Sequence, residues 1–175
     1  MAETAILFSS RYGATKEYAL MLRDRTGAVA VENSKLSARL VSGFGTLVLA
    51  GGIYMGKIDG LDFFRDNADE LLMSHKLAVL AVGIAPEGKD YYARIYSDNF
   101  KHHLKGIPLF YARGRLEMDG LSFVDKSLMK TFLRIIKGKK ELSGFSKELS
   151  ECSSLDYMSE DYLDELVGFM KFTKP

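Results

Sequence analysis

The sequence contains one cysteine, no long apolar run and almost no net charge. Cys152 has no partner for an internal disulfide, so we expect a reducing compartment such as the cytoplasm. No stretch approaches the roughly 20 apolar residues of a membrane span, and the first residues do not follow the pattern of a signal peptide. The net charge of +1 and the lack of interleaved basic and aromatic residues argue against a nucleic-acid partner.

Length and composition are those of an ordinary globular domain. The chain has 175 residues, of which 47% are hydrophobic and 27% are charged. A chain of this length can bury a single sizeable core. Since no repeat, low-complexity segment or linker divides the sequence, we expect one domain over residues 1–175.

Short apolar segments alternate with helical patterns along the chain. Five segments are predicted as strands, namely residues 5–8, 28–31, 46–50, 77–84 and 107–112. Strands that alternate with helices predict an α/β fold with a doubly wound parallel sheet and helices on both faces. In such a sheet, ligands bind where the carboxyl ends of the strands face a crevice.

The strongest functional signal lies directly after the first strand. Ser9, Ser10, Gly13 and Thr15 lie between the strand and a segment with helical spacing that includes Tyr18. The start of a helix presents unpaired backbone N–H groups and the positive end of the helix dipole, and the hydroxyl groups add donors. Because glycine allows close backbone approach, this turn is predicted to bind a phosphate.

The same segment resembles the FMN-binding signature of the flavodoxin family. The pattern is Ile6-Leu7-Phe8-x-Ser10-x-x-Gly13-x-Thr15-x-x-x-Ala19-x-x-Leu22, and every defined position is filled. The resemblance implies a flavodoxin-like five-stranded sheet of order 2-1-3-4-5, noncovalently bound FMN and redox chemistry. It also implies that the FMN phosphate is wrapped by Ser9, Ser10, Arg11, Tyr12, Gly13, Ala14 and Thr15. Arg11 either pairs with that phosphate or extends into solvent.

Two further loops complete the site that the resemblance implies. One side of the flavin ring would contact Gly52, Ile53, Tyr54, Met55 and Gly56, with Tyr54 as the candidate for ring stacking. The other side would contact the loop that contains Ala85, Pro86 and Gly88. The loop after the third strand also has the spacing of a nucleotide-binding loop, with Gly51, Gly56 and Lys57. Ile58, however, replaces the hydroxyl residue that binds magnesium in such loops. We identify no metal site and no catalytic side chain.

The predicted helix at residues 121–137 has one basic face and one apolar face. Its basic residues are Lys126, Lys130, Arg134 and Lys137, and its apolar residues are Leu121, Val124, Leu128, Phe132 and Ile135. We expect the apolar face to pack on the core. The basic face is either a solvated surface or a docking surface for an anionic membrane or an acidic partner.

Residues 10–15, 52–56 and 112–130 are similar to the flavodoxin-like, menaquinone-dependent protoporphyrinogen oxidases, which dock at membranes and pass electrons to quinone. Three functions therefore stay open. The chain transfers electrons between partner proteins, or is an FMN-dependent oxidoreductase acting on a quinone or porphyrinogen near a membrane, or is a binding module that has lost its flavin. Tyr91, Tyr92, Arg94 and Tyr96 either line a substrate edge or belong to ordinary surface.

Overall fold

A computed structural model describes residues 4–33, 37–138 and 144–171. Eight strands lie in these ranges, β1 (Thr4–Ser9), β2 (Val29–Glu32), β3 (Thr46–Tyr54), β4 (Lys57–Ile58), β5 (Lys76–Gly83), β6 (Leu109–Arg113), β7 (Arg115–Glu117) and β8 (Ser154–Asp156). Five of the strands form a parallel sheet in the order β2-β1-β3-β5-β6. Counted among the parallel strands alone, this is the order 2-1-3-4-5, which confirms the predicted topology.

Helices cover both faces of the sheet. They are α1 (Ala14–Thr26), α2 (Ala38–Val41), α3 (Asp62–Asp66), α4 (Ala68–Ser74), α5 (Lys89–Asn99), α6 (Phe123–Lys137), α7 (Gly144–Glu151) and α8 (Asp164–Lys171). Helices α1 and α8 share an apolar cluster with one face of the sheet, and α3, α4 and α5 share a second cluster with the other. The predicted helices on both faces are confirmed.

Alternation along the strands explains the two clusters. In β1, Ala5 and Leu7 belong to the cluster with α3, α4 and α5, while Ile6 and Phe8 belong to the cluster with α1 and α8. Successive side chains of a strand point to opposite faces, so a strand covered on both sides reads as one continuous apolar run. This is the reason that the central strands could be located from short apolar segments.

The third strand extends beyond its predicted end at residue 50. Gly51 and Gly52 pair in parallel with β5, and Ile53 and Tyr54 pair antiparallel with the short strand β4. These ladders supply hydrogen-bond partners that a glycine-rich sequence does not reveal. Part of the predicted flavin-side loop is therefore strand, and the chain turns only at Met55 and Gly56.

An appended unit, made of β7, α6, α7 and β8, lies between the fifth parallel strand and α8. Its two strands pair antiparallel, and it has an apolar cluster of its own that includes Ile136, Leu149 and Leu155. The buried Tyr18 hydroxyl donates to the carbonyl of Arg113 at 2.6 Å and accepts from the N–H of Ser159 at 3.1 Å. One side chain of α1 thus joins the two points where the unit leaves and re-enters the core.

The prediction that the apolar face of α6 packs on the core is wrong for most of that face. Val124 is 63% exposed, Ile135 is 61% exposed and Phe132 is 47% exposed, and Ile136 is the buried residue of the helix. Helix α6 packs against α7 instead. None of the helices in the described ranges is long and apolar enough to cross a bilayer.

Candidate functional site

The turn between β1 and α1 is open. Gly13, with φ of +93°, lies at the N-cap of α1 in the left-handed region that favours glycine, and its N–H donates to the Ser10 hydroxyl oxygen at 3.1 Å. The backbone of Arg11 forms a hydrogen bond with the Tyr54 hydroxyl, whereas the N–H groups of residues 12, 14 and 15 have no protein acceptor within the described ranges. The turn therefore presents several unpaired donors at the positive end of a 13-residue helix.

Thr15 adds a hydroxyl to this turn. The residue is 2% exposed and lines a cavity, and no described residue forms a hydrogen bond with its side chain. Because Thr15 borders the cavity and no described protein group holds its hydroxyl, that hydroxyl is available to a ligand atom or a water molecule.

The cavity next to this turn has a volume of about 680 Å³. This lies within the usual range for small-molecule sites, roughly 300 to 1,000 Å³. Ten of the fifteen predicted cofactor residues line it, namely Ser10, Tyr12, Ala14, Thr15, Gly52, Ile53, Tyr54, Met55, Gly56 and Ala85. Ser9, Arg11, Gly13, Pro86 and Gly88 lie outside the lining. The structure brings the three loops together at the carboxyl end of the sheet, and their roles toward FMN stay predictions.

Arg11 is partly exposed to solvent and also contacts the cavity wall, and its pairing with a phosphate stays a prediction. Its guanidinium carbon lies 4.1 Å from the centroid of the Tyr54 ring, and its Nε donates to Asp59 Oδ2 at 3.2 Å. The hydrogen bond to Asp59 raises the pKa of Arg11, and burial raises the pKa of Tyr54. Arg11 thus packs on an aromatic ring of the cavity wall, where its charge is balanced by a carboxylate.

Tyr12 links the turn to the start of α6. Its hydroxyl donates to Asp125 and accepts from the N–H of Ser122 at 3.2 Å. Asp125 also lies 3.8 Å from the Arg11 guanidinium, and its own N–H donates to the Ser122 hydroxyl at 3.2 Å. The first turn of α6 is therefore held against the candidate phosphate site by polar contacts.

Residues of α5 line another part of the cavity, and Tyr111 of β6 packs against one of them without lining the cavity itself. Tyr111 donates its hydroxyl to the carbonyl of Ala85 at 2.6 Å and packs edge-on against Tyr91, with ring centroids 5.5 Å apart. Burial raises the pKa of both tyrosines, so both are neutral hydrogen-bond donors at physiological pH. Of the aromatic and basic residues considered on α5, Tyr91 and Arg94 line the cavity, whereas Tyr92 and Tyr96 do not.

The nucleotide-loop pattern does not form a phosphate site. Met55 and Gly56 make the turn of a β-hairpin between β3 and β4, and Lys57 donates to the carbonyl of Asp98 at 2.9 Å. A hairpin lacks the helix N-terminus that holds phosphates in nucleotide loops.

A family profile described as a flavodoxin domain matches residues 5–143, which is more than half of the chain. The chain belongs to the flavodoxin domain family. No curated protein matches the chain closely enough to count as a relative.

Solved flavodoxin structures resemble this flavodoxin domain at low sequence identity. Two-electron reduced flavodoxin from Megasphaera elsdenii is 15% identical, with a TM-score of 0.46 over 62% of this chain and 82% of its own. The flavodoxin of the Streptococcus pneumoniae strain TIGR4 is 18% identical, with a TM-score of 0.44 over 84% of this chain and 97% of its own. A Fusobacterium nucleatum flavodoxin bound to flavin mononucleotide is 14% identical, with a TM-score of 0.40 over 70% of this chain and 75% of its own.

The appended unit extends the cavity of this flavodoxin domain with apolar side chains. Helix α6 contributes Leu128, Met129 and Phe132, the segment before it contributes Leu121, and α7 contributes Phe145 and Leu149. This wall was not expected from the sequence, because Leu121, Leu128 and Phe132 were predicted to pack on the core. An apolar wall next to the three loops favours a ligand with a hydrophobic part.

Three charged residues of the site were missed. Asp59 and Asp125 hold Arg11 and Tyr12, and Arg115 lies beside the start of α1, where it pairs with Glu17 at 2.6 Å. These contacts join residues 48 to 113 positions apart, and no local spacing predicts them. The available signal was Arg11 itself, because a charged residue within the predicted phosphate turn indicates that a balancing carboxylate lies nearby.

Proposed function

We propose that this flavodoxin domain binds FMN noncovalently and transfers electrons between partner proteins. The observation that carries the proposal is the open turn at the start of α1, with its unpaired N–H groups, next to a cavity of about 680 Å³. The N–H groups of residues 12, 14 and 15 and the Thr15 hydroxyl would hold the phosphate. When bound, FMN supplies the redox chemistry, and the protein supplies anchoring, exclusion of water and the local electric field.

The side chains around the cavity have separable roles in this proposal. Tyr54, held between Arg11 and Tyr12, would contact the flavin ring, and its burial excludes water from that side. Asp59 offsets the charge of Arg11. The flavin ring would therefore contact a polarisable aromatic side chain, behind which lies the Arg11–Asp59 ion pair.

Flavin titration tests the binding step. FMN is added to flavin-free protein, and the quenching of flavin fluorescence gives the affinity. Replacement of Thr15 by Val should weaken FMN binding by about 1 to 3 kcal/mol, the scale of a hydrogen bond to a charged group. The control is Thr26→Val at the other end of α1, where the hydroxyl donates to the carbonyl of Leu22 at 2.6 Å. Lack of FMN binding by the unaltered protein, or equal affinity of both variants, would refute the assignment.

A second candidate function is favoured by the apolar wall. In this alternative the protein is an FMN-dependent oxidoreductase whose hydrophobic substrate, of the quinone or porphyrinogen type, lies beside the flavin at a membrane surface. Helix α6 exposes Val124 and Ile135, and Lys130 and Arg134 are exposed on the same helix. A helix with exposed apolar and basic residues suits the interface of an anionic bilayer.

Vesicle binding separates the two candidates. An enzyme that works at a membrane should sediment with vesicles containing anionic lipid, and less so with neutral vesicles or at high salt. Replacing Lys130, Arg134 and Lys137 by Gln should abolish sedimentation. The control replaces Arg23, Arg65 and Lys101, three cations on other elements, in the same way. Absence of binding to anionic vesicles would leave the carrier function alone.

A further inference from the structure

Strand β7 brings a cation to the start of α1. The N–H of Gly114 donates to the carbonyl of Gly83 at 2.7 Å, so the chain that leaves β6 stays close to the end of β5. A Cβ atom at Gly114 would lie 2.9 Å from a Val82 methyl group and 3.4 Å from the Ala14 side chain. Only glycine permits this close passage over the first residue of α1, and the next residue is Arg115.

The Arg115 guanidinium lies beside the open turn. Its Nη2 is 3.6 Å from the position that a Cβ atom would take at Gly13, and Arg115 also lines the cavity. The same nitrogen donates to Glu17 Oε2 at 2.6 Å. Both side chains are more than one third exposed, so water screens the pair and it contributes little to stability.

The turn itself carries an independent sign of an anionic ligand. Thr15 is 2% exposed with a hydroxyl that has no described partner, and the neighbouring N–H groups lack acceptors. Arg11, the cation within the turn, is committed to Asp59 and to the Tyr54 ring. Arg115 is therefore a cation that is positioned to neutralise an anion at the turn.

We propose that Arg115 pairs with the phosphate of FMN, and that Glu17 holds its guanidinium when no phosphate is bound. The inference rests on the proposed FMN binding. A phosphate dianion offers a guanidinium two oxygens and twice the charge of a carboxylate, so it competes well with an exposed Glu17. Glu17 also places a negative charge in the first turn of α1, near the phosphate, and the exchange of partners leaves that charge unpaired.

Comparison of FMN with riboflavin, which lacks the phosphate, tests the proposal. Both flavins are titrated into the unaltered protein and into Arg115→Met, Arg115→Lys and Glu17→Gln. We expect Arg115→Met to weaken FMN by about tenfold or more, the scale of a charge-assisted contact, and to leave riboflavin within about twofold. Arg115→Lys should recover part of the loss. Glu17→Gln should strengthen FMN, because it removes both the competitor and the repulsion.

The matched control is Arg25→Met. Arg25 lies at the far end of α1 and pairs with Asp164 at 2.6 Å, the same distance as between Arg115 and Glu17. Its replacement therefore removes one positive charge and one similar ion pair. FMN affinity should be unchanged in this variant. Equal weakening of FMN and riboflavin by Arg115→Met would indicate a structural role and overturn the proposal, as would unchanged FMN affinity. If the unaltered protein bound neither flavin, the proposed function would fail as well; riboflavin binding without a preference for FMN would overturn only the role of Arg115.

Discussion

The central sheet and the appended unit bury their apolar residues to very different extents. Leu47, Val48 and Leu49 of β3 are fully buried between two layers of helices, whereas α6 exposes more than a third of Val124, Leu128, Phe132 and Ile135. Apolar burial is the main stabilising contribution in folding. The sheet therefore supplies the stability of the fold, and the exposed α6 side chains are free to serve a ligand or a surface.

The polar contacts of the two regions differ in the same way. The sheet packs on its own helices mainly through two apolar clusters, whereas the appended unit is joined to α1 and to the preceding turn through hydrogen bonds and charges, at Tyr18, Tyr12 and Arg115. The bonds of Tyr12 and Arg115 lie beside the candidate phosphate site. A ligand at that site would therefore contact both regions.

The largest difference between the regions should appear in a core truncation. Leu49→Ala in the middle of β3 should lower the free energy of unfolding by about 2 to 5 kcal/mol, because it leaves a cavity between packed layers. Leu40→Ala, at a side chain that is 52% exposed on α2, is the control and should cost less than about 1 kcal/mol. Denaturant unfolding measures both. Equal losses would contradict the assignment of stability to the sheet.

A smaller effect is expected at the glycine where the two regions meet. Gly114→Ala should destabilise the fold by about 1 to 3 kcal/mol, since the new methyl group would lie 2.9 Å from Val82 and overpack the junction. Gly144→Ala has no atom within 4 Å of the new methyl group and should be neutral or slightly stabilising. Thermal unfolding of the two variants checks the contrast, and a stable Gly114→Ala protein would show that β7 can shift away from α1.

The Tyr18 hydroxyl tests the attachment of the appended unit. Tyr18→Phe should cost about 1 to 2 kcal/mol, because the carbonyl of Arg113 and the N–H of Ser159 lose a buried partner. Burial raises the pKa of Tyr18 to about 12, so the neutral hydroxyl persists in the folded state. Between the ordinary value near 10 and about 12, ionisation of Tyr18 favours the unfolded state, and stability should fall as pH rises.

The control for Tyr18 is Tyr92→Phe. Tyr92 also donates to a backbone carbonyl, that of Leu109 at 2.6 Å, but its side chain is partly exposed. Water can replace the lost bond there, so this loss of stability should be smaller. Proteolysis adds a regional readout, and Tyr18→Phe should increase cleavage within residues 114–158 more than elsewhere. Uniform cleavage would contradict a local role of the hydroxyl.

The sheet and the phosphate turn could be predicted because their signals are local. An uninterrupted apolar segment indicates a strand with two covered faces, and the order of Ser10, Gly13 and Thr15 places hydroxyls and glycine at a helix start. Right-handed crossovers then restrict the strand order to a few choices. The extension of β3 through Gly51 and Gly52 was missed, because it depends on partners supplied by β4 and β5.

The appended unit was harder to predict, because helical periodicity shows which residues share a face but not what covers that face. The apolar residues of α6 have the spacing of a core helix, yet most of them stay exposed and the helix packs against α7. The pairing of Arg115 with Glu17 joins positions 98 residues apart and follows from the passage of β7 over α1. The exposure of the α6 face and the pairing of Arg115 with Glu17 both depend on tertiary structure, and a single sequence contains no local sign of them.

The smallest effect on stability is expected at the exposed apolar residues of α6. Val124→Ser combined with Ile135→Ser should change the free energy of unfolding by less than about 1 kcal/mol, since both side chains are more than 60% exposed. The same pair should weaken sedimentation with anionic vesicles if α6 is an interfacial helix, because serine removes apolar area from the inserted surface. Replacing two leucines in the sheet, Leu47 and Leu80, by Ser serves as the contrast and should prevent folding, because each is fully buried.

A large loss of stability in the Val124 and Ile135 double variant would contradict this prediction. It would show that these two side chains are covered in solution, most simply by a second copy of the chain. An unfolding midpoint that depends on protein concentration would identify that state.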